Sequence, residues 1–223
     1  MIKIHNICSN FTKIFKTQKE NNKNFFLFAN RKNSVFDDKL KEDEIFLNSN
    51  SISVFFNTAQ PIIQSKFIAD HPLKWIFYRC LAKNEKYGTF FRDLELLERF
   101  YFDRYFFIPD FFDPKYRSKN FFIPTIDYLI SKNIDTSKIG HLTLFDPTEL
   151  SRVKELYDKT KTPSTGFWIY LYLRGLYPKS IITLVGYNSV IDPIYHDASF
   201  EKAYLLSHIQ NKLCRSISCF DAA

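Results

Sequence analysis

PSTGFWIYLYLRGLYPKSIITLV, residues 163–185, reads as a helix followed by a buried strand. Phe167–Leu176 is a strongly apolar helix in this reading. Ile181–Val185 (IITLV) is the strongest strand candidate in the chain. Working outward, Asn24–Ala29 (NFFLFA), Glu44–Leu47 (EIFL) and Ser51–Phe56 (SISVFF) are short apolar runs, followed by Asn30, Asn48 and Asn57. Bounded runs of this length match buried parallel strands. His141–Phe145 (HLTLF) predicts another strand, and Pro147–Lys159 and Ser199–Leu213 predict helices. The stretch 61–135 reads as mostly helical, including 67–82 and 89–107. Tyr105–Phe112 (YFFIPDFF) is interrupted by Pro109, which predicts a loop or short helix there. Strands alternating with helices imply an α/β fold with a mainly parallel central sheet flanked by helices. Residues 1–23 form a polar N-terminal extension in this reading, and 24–223 form a single domain.

The 223 residues are 45% hydrophobic, enough for an ordered core. Aromatic side chains reach 18%, with 25 Phe and 13 Tyr, which fits either sugar stacking or a compositional bias toward Phe, Tyr, Ile, Asn and Lys. A net charge of +7 suits an anionic partner. The basic residues are scattered, without a nucleic-acid motif, so nucleic acid is not the expected partner. Cys8, Cys80, Cys214 and Cys219 show no metal-ligand spacing. With no signal peptide visible and no apolar run of about 20 residues, the expected location is cytoplasmic.

Three groups of residues carry candidate chemistry. Ser164, Thr165 and Gly166 open an apolar helix, where free backbone N–H groups accept an anion; Ser164 also fits an ordinary N-cap. His196 stands five residues before Glu201 at a loop-to-helix junction after the strongest strand. Its near-neutral pKa suits deprotonation of a sugar hydroxyl, although a histidine beside a helix cap fits the same position. Glu201 also fits a helix-start carboxylate. Asn30, Asn48 and Asn57 each offer donor and acceptor to a base edge or a ribose, or act as turn formers. Tyr187, Asn188 and Tyr195 lie between the last strand and His196, within reach of a leaving phosphate. No Asp-x-Asp triplet for a metal-bound diphosphate occurs.

In this order the motifs resemble the bacterial sialyltransferases typified by the Campylobacter lipooligosaccharide enzymes, and they share short elements with animal sialyltransferases. Ser164-Thr165-Gly166, an apolar helix, a strand and Gly186 resemble the donor-binding motif. His196 with Glu201 matches the animal His-x4-Glu pattern, and Asn30, Asn48 and Asn57 match asparagines after the bacterial family's first strands. The resemblance implies a GT-A-like fold of the sialyltransferase variant. It implies a metal-independent inverting glycosyltransferase without cofactor, moving sialic acid or a related CMP-activated acid to a surface glycan such as lipooligosaccharide or capsule. His196 would be the general base, with Tyr187 and Tyr195 donating to the departing phosphate. Asn30, Asn48, Asn57, Ser164, Thr165, Gly166, Asn188 and Glu201 would line the donor pocket. A lipid-linked acceptor implies peripheral contact with the inner membrane. Thr162 replaces the arginine that precedes the small-residue motif in bacterial relatives; a transferase for another CMP-linked acid such as Kdo, or for a different nucleotide sugar on the same fold, is the close alternative. A non-catalytic protein that binds a membrane or partner is the alternative from another class.

Overall fold

In the computed structural model, which describes residues 23–29, 37–56, 59–80, 99–109, 133, 135, 138–141, 153, 155–158, 160–161, 163–187, 194 and 196–217, strands are interspersed with helices. The strands are β1 (Asn24–Phe28), β2 (Ser51–Phe56), β3 (Lys74–Cys80), β4 (Arg104–Pro109), β5 (Ile139–His141), β6 (Ile181–Val185) and β7 (Arg215–Ile217). The helices are α1 (Asp37–Lys41), α2 (Glu44–Leu47), α3 (Gln60–Gln64), α4 (Lys66–Ala69), α5 (Thr165–Leu176) and α6 (Ala198–Gln210). The pairings β1–β2, β1–β6, β3–β4, β4–β5 and β6–β7 are all parallel, so the chain adopts the expected α/β class. Residues 1–22 of the expected extension lie outside the described residues.

These elements divide between two compact units. The larger contains β1, β2 as far as Phe55, β6, β7 and the six helices; the smaller contains β3, β4 and β5. In the larger unit the strand order is β2-β1-β6-β7. Phe26 of β1 lies level with Ser53 of β2 and Thr183 of β6. Successive side chains point to opposite faces, and both faces are covered. On one, Phe26 and Phe28 meet Phe46 of α2 at 4.8 and 6.3 Å between ring centroids. On the other, Phe25 meets Tyr177, just after α5, at 4.8 Å. Two-sided burial explains why NFFLF and IITLV are almost continuously apolar. Each fully buried Phe or Leu contributes about 1.5–3 kcal/mol.

The winding direction positions the site. The chain leaves β1 toward β2 and later returns to β6 on the opposite side of β1. Right-handed crossovers in opposite directions put the connecting helices on opposite faces, as found for α2 and α5. The reversal makes the gap between the carboxyl ends of β1 and β6 a topological switch point, where open α/β sheets bind ligands. The Ala29 N–H donates to the Val185 carbonyl there, at 2.8 Å. Gly186 leaves β6 at φ 75°, a conformation that a side chain would penalise, and Tyr187 follows.

Several sequence expectations are corrected. Glu44–Leu47 is not a strand but a single helical turn, because Asp43 accepts from the N–H groups of Ile45 and Phe46, both at 3.0 Å. Four apolar residues do not define a period, and the capping aspartate decides the matter. Among the described residues of 61–135, Lys74–Cys80 (KWIFYRC) and Arg104–Pro109 (RYFFIP) are strands where helix was expected, as their aromatic content favours; 81–98, 110–132 and 134 lie outside the described residues. Pro109 is tolerated because it stands at the strand end opposite Cys80, beyond the register with β5, which covers Tyr105–Phe107. β5 starts two residues before the expected His141, and β7 follows the last helix where no strand was expected. In 147–159, Val153, Glu155 and Leu156 are helical as expected.

Candidate active site

α5 and α6 lie side by side and parallel. Phe167 meets Tyr204 at 5.4 Å between centroids, and one turn later the Tyr170 hydroxyl contacts His208 Nδ1 at 2.5 Å. Residue numbers rise together along both helices, so their N-termini share one end. Each helix leads into a strand of the parallel sheet, and a crossover helix runs antiparallel to its strands. Both N-termini therefore face the carboxyl edge, the edge of the switch point. Two positive dipole ends converge there.

Glu201 fastens these ends together. It is fully buried, and its carboxylate accepts three hydrogen bonds. Oε1 takes the Tyr157 hydroxyl at 2.8 Å and the Ser164 N–H at 2.7 Å. Oε2 takes the Ser164 hydroxyl at 2.5 Å. Ser164 Oγ also accepts the Phe167 N–H at 3.3 Å, capping α5. A buried carboxylate loses several kcal/mol of hydration; three charge-assisted bonds of about 1.5–3 kcal/mol each are of the size needed to offset it. Burial still prevails in one respect: it pushes the Glu201 pKa above the usual carboxylate range, against the bonds from Ser164 and Tyr157. The same burial, reinforced by the Glu201 charge, raises Tyr157 well above the ordinary phenol, so its hydroxyl remains a donor.

Tyr157 extends the cluster to the histidine. Its oxygen accepts the Asp197 N–H at 2.7 Å, and Asp197 caps α6 by accepting the Phe200 N–H at 3.1 Å. His196, half-buried, is joined to that held amide. Tyr157 packs against Phe167 and Phe200 at 6.4 and 5.5 Å between centroids.

The structure thus brings Ser164, Thr165, Gly166, His196 and Glu201 to one end of two helices, and sets Tyr187 at the carboxyl end of β6. Ser164 spends both its N–H and its hydroxyl on Glu201, so it builds the wall of the site, with Thr165 and Gly166 next in the turn. Asn48 is not brought there. It follows α2 and precedes β2, at the amino edge of the sheet, where its Oδ1 accepts the Asn50 N–H at 2.9 Å. Asn30, Asn57, Asn188 and Tyr195 lie outside the described residues. Sequence reading missed Tyr157 and Asp197. An aspartate that fits an N-cap ahead of a helical run is a usable signal for the second; nothing local marks the first.

Among the described residues no three His, Cys, Asp or Glu side chains gather as metal ligands, and no helix is long and apolar enough to cross a membrane. Comparison with family models, with characterised proteins and with solved structures finds no match.

Proposed function

We infer that this chain is an inverting glycosyltransferase for a CMP-activated sugar acid, with a GT-A-like fold of the sialyltransferase variant. The observation that carries this reading is the pair of bonds from Ser164 to Glu201. They join the small-residue turn to the His-x4-Glu segment, 37 residues apart, at an edge where parallel sheets bind ligands.

In the proposed reaction His196 accepts the proton of an acceptor hydroxyl while that oxygen bonds to the anomeric carbon. The bond from that carbon to the phosphate oxygen breaks on the opposite face, and CMP leaves with the electron pair. Thr165 and Gly166 meet the donor's anionic groups at the α5 N-terminus, and Tyr187 and Tyr195 donate to the departing phosphate. By the resemblance, Asn30 and Asn188, each just beyond a strand in the sequence, would contact nucleotide or sugar. Asn48 has no part in this arrangement. A nucleotide monophosphate carries a single phosphate group, which hydroxyls and helix dipoles can neutralise; the acceptor is a surface glycan. With Thr162 in place of the arginine, sialic acid and Kdo are separated by competition between the two CMP-sugars.

The test is CMP release from CMP-sialic acid with EDTA present. The wild type should release CMP, and His196→Ala should lower the rate by roughly 10²–10⁴-fold with CMP binding retained. No release together with no CMP binding by calorimetry removes this reading in favour of another donor or a non-catalytic binding role.

A further inference from the structure

The hydroxyl of Tyr157 touches both the Glu201 carboxylate and the segment bearing His196, at 2.8 and 2.7 Å. The amide it holds belongs to Asp197, so it shares a peptide plane with the His196 carbonyl. Holding that N–H fixes the rotation of the His196 backbone into its next peptide. The N–H groups at a helix start have no partner within the helix and ordinarily face water. Here a buried phenol takes this one, while the same oxygen's proton is committed to Glu201. Glu201 in turn grips Ser164 at the head of α5. The chain of contacts runs from the α5 N-cap to the backbone of the histidine, with one hydroxyl in the middle.

We propose that Tyr157 is a positioning residue that sets His196 against the α5 N-terminus by pinning the His196–Asp197 peptide to Glu201. This rests on the reading of His196 as the general base. Proton transfer demands that the imidazole sit within hydrogen-bond reach of the acceptor, and small displacements cost rate far more than they cost donor binding. Tyr157 makes no contact with the donor in this scheme.

Tyr157→Phe in the full chain keeps the ring packing on Phe167 and Phe200 and deletes only the hydroxyl. Tyr170→Phe is the control, because it deletes another buried tyrosine hydroxyl, bonded to His208. For Tyr157→Phe we expect kcat for CMP release to fall by about tenfold or more, with KM for the CMP-sugar within about twofold of wild type. The His196 ring resonance, identified by its loss in His196→Ala, should broaden or change its titration midpoint. Tyr170→Phe should leave kcat and that resonance as in the wild type. In the wild type itself, the Asp197 amide should exchange with solvent as slowly as the interior amides of α6, a readout that does not require the variant to fold. A wild-type Asp197 amide that exchanges at a loop's rate overturns the proposal. So does a folded Tyr157→Phe whose His196 resonance matches wild type. Absence of CMP release from the wild type would sink the transferase reading alone, since the resonance and the amide exchange judge Tyr157 without any reaction.

Discussion

Glu201 holds a carboxylate where water does not reach, and its neighbours define what substitution there does. Glu201→Ala leaves the Tyr157 hydroxyl and both Ser164 donors without their acceptor, and should cost about 3 kcal/mol or more. Glu201→Gln can still accept on one atom and donate to Ser164 Oγ from the other, and should cost about 1 kcal/mol. The pH dependence has a definite sign. The folded-state pKa is raised, so only between the ordinary carboxylate pKa and the raised one does the native chain hold a proton that the unfolded chain has released. The stabilisation is fully present below the ordinary carboxylate pKa and is lost as pH rises through the raised one. The advantage of wild type over Glu201→Gln should therefore shrink from acid toward neutral pH in denaturant melts. An advantage that grows with pH would mean that the three bonds outweigh burial.

At the scale of elements, Asp43 explains a helix that its own residues do not. EIFL is one turn long, below the length at which a helix holds alone. Asp43 caps it and also meets Arg215 of β7 at 2.7 Å through Oδ2, tying the α2 start to a strand far away in sequence. Asp43 is largely buried while Arg215 is substantially exposed, so the ionic contribution is small beside the cap. Asp43→Asn, which retains a capping oxygen, should lose less than about 1 kcal/mol, whereas Asp43→Ala should lose about 1–2 kcal/mol. Thermal melts of the two variants check this; equal losses would assign the effect to the Arg215 pair. The same element decides the place of Asn48, which the sequence puts at a strand end. Once EIFL coils, the asparagine precedes β2 and lies at the amino edge, opposite the carboxyl ends where ligands bind.

At the scale of the whole molecule, the net charge of +7 should favour anionic surfaces, with each Lys or Arg near such a membrane contributing about 1 kcal/mol. In flotation with anionic vesicles the protein should rise with the lipid at low salt and be released as salt shortens the Debye length; no flotation at low salt would remove the proposed membrane contact. The α/β class and its parallel sheet could be read from the chain, because strands buried on both faces must be short apolar runs. So could α5, β6 and α6, whose patterns are long or strong enough to exclude alternatives. The strands in 74–80 and 104–109 were not legible, since brief aromatic runs have no decisive period and Pro109 matters only once its neighbours are known. By itself the sequence determined which segments bury their side chains and placed His196 and Glu201 at a helix start, because burial and capping are local in the chain. Only the tertiary structure decided that Ser164 serves Glu201, that Tyr157 belongs with them and that Asn48 does not, because hydrogen bonds between distant segments depend on winding direction and helix register.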